Sequence, residues 1–287
     1  MSELLPSEEK VWRFLSYGGG VQTIFLRLAI AKGIIPVTID AAICANTQRE
    51  PDAVWEQIAW VEEEVARSPY PSPLHIVSRG DLWDSATLVR TRRDGQRKYV
   101  KTAIPAYFRN GHVNGLGRRS CTRDFKIAMV NAQARKLMGK PRLYARDGVQ
   151  IEMIIGITTD EAVLRAKPNP KGYIRNLYPL VDAGYSRADC HSWLDANVPR
   201  EIVSSGCVEC PHRTDWGMLK PHELARLPES ERQLQKAYAE VGFNMVPYLH
   251  ETRIPIDQIK LSTRRRQNMK EEQRNLFLNE CAGVCGV

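Results

Sequence analysis

An apolar run from Val11 to Leu15 opens into Ser16-Tyr17-Gly18-Gly19-Gly20-Val21-Gln22-Thr23, and a helical pattern from Thr23 to Lys32 stops at Gly33. Strand, glycine turn and helix in that order point to an α/β fold with a ligand at the turn. Glycines let the backbone bend sharply and approach a ligand, and a helix N-terminus presents unpaired N–H groups to an anion. Hydroxyls at either end, Ser16 and Thr23, can donate to phosphate or sulfate oxygens. The plainer alternative is an ordinary strand-to-helix turn, so the loop needs its context.

That context is a repeated alternation. Val37–Ala45 reads as a strand, Asp52–Arg67 as a helix, Leu74–Ser78 as a short strand and Phe125–Lys140 as a helix. Gln150–Ile157 is a further strand with no charge after Glu152, which predicts an interior position. Such spacing predicts a mostly parallel, twisted sheet with flanking helices, and ligands at the C-terminal ends of its strands. The stretch Gly80 to Gly117, charged and dotted with aromatics, is expected to be a long excursion covering the site. From about Pro179 the strand pattern stops. The expected organisation is therefore a nucleotide-binding α/β domain over residues 10–178 and a helical, cysteine-bearing module over 179–287.

Charge narrows the partners. The chain of 287 residues carries a formal charge of +8, with clusters at Arg90, Arg92, Arg93, Arg97, Lys98 and Lys101, then at Arg118, Arg119, Arg123 and Lys126, and at Arg264, Arg265 and Arg266. One or two such residues suffice for a nucleotide phosphate, whereas several patches suit a nucleic acid; a solvated basic surface is the bland reading. No apolar run approaches the roughly 20 residues needed to span a bilayer. The polar, acidic first ten residues lack a signal-peptide core, so the expectation is a cytoplasmic protein without a membrane partner. Seven cysteines there argue for metal or redox chemistry more than for disulfides.

Cys207-Val208-Glu209-Cys210-Pro211 is a Cys-x-x-Cys turn, whose spacing lets two thiolates bind one zinc ion or one iron–sulfur cluster. Completion by Cys190 and Cys121 would give a four-cysteine site. His191 and His212 keep a mixed Cys/His zinc site open, and Cys44, on an apolar strand, reads as core. Gly156-Ile157-Thr158-Thr159-Asp160-Glu161-Ala162, followed by Arg165, runs from a strand into a helix whose acidic first turn suits the helix dipole.

These segments together resemble the PP-loop ATP pyrophosphatases, or adenine nucleotide α-hydrolases, and within that superfamily the phage-type proteins similar to phosphoadenosine phosphosulfate (PAPS) reductases. The glycine loop is similar to their Ser-Gly-Gly-x-Asp-Ser, and Asn46-Thr47-Gln48-Arg49-Glu50-Pro51 to their Asp-Thr-Gly-x-Glu-x-Pro. Arg119-Ser120-Cys121-Thr122-Arg123, Tyr178-Pro179-Leu180-Val181-Asp182 with Asp189-Cys190, and the Cys-x-x-Cys-Pro turn carry the closest likeness. More distantly they are similar to the DNA phosphorothioation C protein family, which carries a [4Fe–4S] cluster on such a domain.

The resemblance implies a nucleotide, ATP or PAPS/APS, held by Ser16, Gly18, Gly19, Gly20, Gln22, Thr23, Asn46, Thr47, Glu50, Gly156 and Arg165. Arg118, Arg119, Arg123 and Lys126 would neutralise its charge. It implies a [4Fe–4S] cluster, with zinc as the alternative, on Cys121, Cys190, Cys207 and Cys210, and site roles for Asp160 and Glu161. Gln22 stands where pyrophosphatases carry the Asp that holds Mg2+ on pyrophosphate, which argues against ATP α,β-cleavage. The final residues, Glu280-Cys281-Ala282-Gly283-Val284-Cys285, resemble the opening of the reductases' Glu-Cys-Gly-x-His tail without its histidine, so Cys281 or Cys285 would carry sulfur or electrons.

The implied activity is an iron–sulfur enzyme of sulfur chemistry that thiolates or otherwise modifies a nucleic acid, tRNA or DNA, with a thiol reductant or sulfur donor. Reduction of PAPS or APS to sulfite is the second outcome. A metal-stabilised nucleic-acid-binding protein that has lost catalysis is the third.

Overall fold

The computed structural model describes residues 10–261. In chain order its main elements begin with β1 (Trp12–Ser16), α1 (Val21–Ala31), β2 (Ala41–Asn46), α2 (Asp52–Ala66) and β3 (Leu74–Ser78). A second group follows: α3 (Leu82–Thr87), β4 (Val89–Thr91), β5 (Lys98–Val100), β6 (Tyr107–Asn110), β7 (Val113–Leu116) and α4 (Ala128–Leu137). The chain continues with β8 (Ile151–Ile155), α5 (Thr159–Arg165), β9 (Ile174–Leu177), α6 (Pro179–Asp182), α7 (Arg187–Asn197), α8 (Pro221–Glu240) and β10 (Val246–Tyr248).

Five strands form one parallel sheet in the order β3-β2-β1-β8-β9. β2 and β8 are almost wholly buried and β1 is buried over its last three residues, as a parallel sheet covered on both faces requires. One face packs on α1, α2 and α7 through Phe25, Leu28, Ile58, Val61 and Leu194; the other packs on α4 through Val130 and Ala134. The chain builds outward through β1, β2 and β3, then returns to add β8 and β9 on the far side of β1. Strand order therefore reverses at β1, and the crevice beyond its C-terminal end is where such sheets bind ligands. The glycine loop lies there.

The expected β/α order holds, with local differences. Val37 and Ile39 pack half-buried on the core as irregular chain, and the strand begins at Ala41. β9 was not anticipated; its four residues carry Arg175 and Asn176, too polar and too short to stand out. The helix expected from Phe125 begins instead as a π-helical turn, Thr122–Ile127, before α4.

α6 and α7 belong to the sheet's own core, through Leu180, Cys190 and Leu194. The excursion after Gly80 walls the cysteine cleft through Leu82, Trp83, Ile104 and Pro105. Its Trp83, Ala86, Ile104 and Phe108 form a second core with Val208, Trp216, Leu227, Leu234 and Leu249. A small antiparallel sheet, β10-β6-β7, ties the two segments together. Among the described residues no helix is long and apolar enough to cross a membrane.

Candidate functional site

The glycine loop shows why its residues are glycines. Gly19 has φ of +67°, and a Cβ there would fall 2.6 Å from Ile58 Cδ1. Gly20 is the N-cap of α1, and a Cβ on it would fall 2.7 Å from Ser205 Oγ. The loop is clamped by Gln57, whose Nε2 donates to Gly19 O (2.5 Å) and to Val203 O (3.0 Å), while its Oε1 accepts from Val203 N (2.9 Å). The segment 203–207 is thereby laid across the start of α1. Ser205 Oγ is buried there with no hydrogen-bond partner among the described residues. The first-turn amides of α1 have no helical acceptor, as at any helix start.

Several expected phosphate ligands are occupied by the protein itself. Thr23 Oγ1 accepts from Gly20 N (3.2 Å) and donates to Gly20 O (3.1 Å), closing the cap. Gln22 is buried and donates to Glu161 Oε1 at 3.3 Å, and Glu161 also pairs with Arg165 at 3.1 Å. Asp160 is exposed and accepts from Arg187 N at 3.1 Å, so it caps α7. Gly156 abuts Thr23, which seats the end of β8 against α1. Ser16 is buried at the end of β1, and Asn46 Oδ1 accepts from Gln48 N at 2.6 Å.

Cysteines gather in a second place. Cys121, Cys207 and Cys210 wall one cleft, together with Thr47, Arg119 and Lys126. Cys121 arrives on the π-helical turn's N-cap, and the other two on the turn closed by Cys210 N donating to Cys207 O (3.0 Å). Thr47 Oγ1 lies 3.3 Å from Cys207 Sγ and donates to Glu50 Oε2 at 2.6 Å. Lys126 is buried and paired with Glu50 at 3.4 Å, so its charge is matched locally. Arg119 is half-buried at the cleft; Arg118 and Arg123 are exposed, and Arg123 is paired with Asp124 at 2.8 Å.

Cys190 does not join them. α7 turns it into the core against α1, fully buried, and burial followed by the carboxylates of Asp160 and Asp189 pushes its thiol up to about 12. So placed, it lies in the sheet's core and not on the wall of the cleft that Cys121, Cys207 and Cys210 line. Three of the four cysteines therefore share the cleft. Cys44 is core, as its strand position suggested. Cys281, Cys285 and Arg264 to Arg266 lie outside the described residues.

Residues that carried no recognisable motif hold the cysteine turn. Val208 N donates to Arg49 O at 2.7 Å, docking the turn onto the loop after β2. Arg49 grips Asp81 through two hydrogen bonds (2.6 and 2.5 Å) and reaches Glu209 at 3.3 Å; Arg226 reaches the same Glu209 oxygen at 2.9 Å. Arg213 donates to the carbonyls of Cys207 (3.3 Å) and Gly206 and pairs with Asp215 (2.5 Å). Only the position of Ser204, Ser205 and Gly206 just before the turn hinted at Ser205.

His212 follows the turn, buried edge-on to Tyr107, with Nδ1 unpartnered among the described residues. Burial first, and the Arg119 guanidinium second, hold its imidazole down at about 4. In the unfolded chain it titrates near pH 6.5, so acid protonates the unfolded chain first and stability falls as pH drops through that range. We expect His212→Asn to remove about 2 kcal/mol of the stability difference between pH 7 and pH 5. Urea midpoints at the two pH values test this, and an unchanged acid slope in the variant rejects it.

A separate grouping of Asp52, His222 and Glu223 brings donor atoms within 4.8 Å of one another. Glu223 there accepts from the backbone N–H of Asp52 and of Lys220, and Lys220 pairs with Asp52, so the group is an ion-paired helix cap. Searches of family models, curated proteins and solved structures found no match to this chain.

Proposed function

We propose that this protein is an adenine-nucleotide-dependent enzyme of sulfur chemistry, of the PP-loop, PAPS-reductase-like kind, acting on a nucleic acid. The observation that carries the proposal is the joining of two sites by one segment. Ser205 sits over the N-terminus of α1, and Cys207, at most about 7 Å of chain further on, enters the three-cysteine cleft. An oxyanion at α1 would meet the first-turn amides and the unpartnered Ser205 hydroxyl.

On this reading the metal centre would take its protein thiolates from the three cysteines that share the cleft. Cys121, Cys207 and Cys210 would hold it, and a [4Fe–4S] cluster there would supply electron or sulfur handling. Zinc would make the same site structural. Thr47, placed on Cys207 Sγ, and the Glu50–Lys126 pair would orient the sulfur and keep that wall of the cleft near neutrality. Reduction of PAPS or APS is the second reading. It is favoured by Gln22, an amide engaged with Glu161 where a pyrophosphatase needs a metal-holding carboxylate.

Metal analysis of anaerobically purified protein tests the centre. We expect iron and sulfide, with broad visible absorption, lost in Cys207→Ala and Cys121→Ala and kept in Cys190→Ala. Metal-free wild-type protein, or equal loss in Cys190→Ala, rejects the three-cysteine site. Calorimetry with ATP and with adenosine 3′,5′-bisphosphate then separates the two readings of the nucleotide.

A further inference from the structure

We infer that the β4–β5 hairpin is the arm that grips a single-stranded or looped segment of nucleic acid. The inference rests on the nucleic-acid reading above and adds the element that would do the binding. In this hairpin Arg90 lies opposite Tyr99, and Arg92 N donates to Arg97 O across the turn. Alternation along a strand then sets Arg90, Arg92, Arg97 and Tyr99 on one face. All four are exposed, and none of the three arginines is paired with a carboxylate among the described residues. Arg92 facing Arg97 is a like-charge cross-strand pair, which is unfavourable until an anion bridges it.

The opposite face anchors the hairpin. It carries Val89 and Val100, both half-buried, and Lys98, which pairs with Glu240 at the end of α8 at 3.1 Å. The hairpin's two stems come from the rim of the cysteine cleft. α3, just before β4, contributes Leu82 and Trp83 to the cleft wall; Ile104 and Pro105, just after β5, contribute the facing part. The hairpin thus projects from segments that wall the cysteine cleft.

Guanidinium groups alone would serve any polyanion. The exposed tyrosine ring set among them distinguishes nucleic acid, because an unpaired base stacks on an aromatic face while phosphates take the arginines. Duplex DNA offers no free base face to such a ring.

The test uses the full chain and labelled single-stranded DNA and RNA of about 20 nucleotides, enough to cover a site of this kind. Fluorescence anisotropy is read between about 50 and 200 mM salt. Arg90→Ala/Arg92→Ala/Arg97→Ala is expected to weaken binding at least tenfold and to reduce the slope of log K against log salt by about 2, at roughly 0.7 per phosphate contact. Tyr99→Ala is expected to lose about 5- to 100-fold with the slope unchanged, and Tyr99→Phe to bind as wild type, because stacking needs the ring and not the hydroxyl.

Wild-type protein that fails to bind, hairpin variants that bind as well as wild type, or loss equal in Tyr99→Phe and Tyr99→Ala overturns the inference. So does competition by polyglutamate or by anionic phosphatidylserine vesicles that matches unlabelled oligonucleotide, which would make the face a general polyanion surface. Metal content is read on the same samples. Hairpin-dependent binding by metal-free protein would retain this inference and remove the enzyme reading, while metal-loaded protein with hairpin-independent binding would do the reverse.

Discussion

Glu209→Ala is expected to destabilise the protein by about 3–5 kcal/mol, the cost of removing one partner from a buried ion pair. The Glu209 side chain is 1% exposed, and a single oxygen of it serves both Arg49 and Arg226. Removing it leaves the Arg49 and Arg226 guanidinium groups, which share that oxygen, without the carboxylate between them. Arg49 also holds Asp81 and, through its carbonyl, the amide of Val208, so the damage spreads to the turn that carries Cys207 and Cys210. On the proposed three-cysteine reading, metal content should fall with stability although every cysteine is intact. Glu209→Gln keeps the shape and one acceptor, and should cost about 1–3 kcal/mol. Urea unfolding and metal per chain measure both effects. An alanine variant with wild-type midpoint and metal content would show that the turn is held without Glu209.

Gly19→Ala should be nearly as costly and should act at the other site. A non-glycine residue in the left-handed region loses about 1–2 kcal/mol. Overpacking against Ile58, with Cβ 2.6 Å from its Cδ1, adds about 1–3 kcal/mol. The sum, about 2–5 kcal/mol, is a large part of the stability of an ordinary domain. Relief by moving the loop would pull Gly19 O off Gln57 and shift the start of α1, so affinity for an oxyanion should fall as well. Ile58→Val in the same chain removes the nearest clashing methyl and should restore part of the packing loss while leaving the backbone cost. Thermal melts and calorimetric titration with pyrophosphate follow the two effects. Full restoration by Ile58→Val would mean that the backbone at residue 19 is unstrained.

Both sites contain parts that could be read in advance. The first β-turn-helix unit announces itself because its signals are local: an apolar run, three glycines and a helical apolar period within about two dozen residues. β3 was expected over the residues it occupies, for the same reason. The Cys-x-x-Cys turn was equally visible, since its two sulfurs are aimed by one turn of chain.

The core position of Cys190 was not legible, for an instructive reason. Its neighbours, a serine cap and an acidic first turn, describe how α7 begins but not which side of α7 faces the sheet. The helix's phase against α1 decided that, and it buried the thiol. Gly80 to Gly117 reads only as a long excursion over the site, because its apolar residues are scattered among charges. Trp83 and Phe108 find their partners in Trp216, Leu227 and Leu234, more than a hundred residues later, and no local period encodes such a pairing. Glu209 and Arg49 fail to stand out for a related reason: buried charges are conspicuous only once their partners are known.

The sequence by itself determined the alternation of strand and helix, the glycine turn that starts α1, the cysteine turn and the basic character of the chain. All of these depend on residues close together, whose backbone preferences act before any packing. Tertiary structure alone decided that Cys121, Cys207 and Cys210 line one cleft while Cys190 lies in the core, that Ser205 lies over Gly20, and that three arginines and a tyrosine share one face of a hairpin. Those outcomes turn on which face of each element is buried, and burial is settled by apolar surfaces brought together from distant parts of the chain.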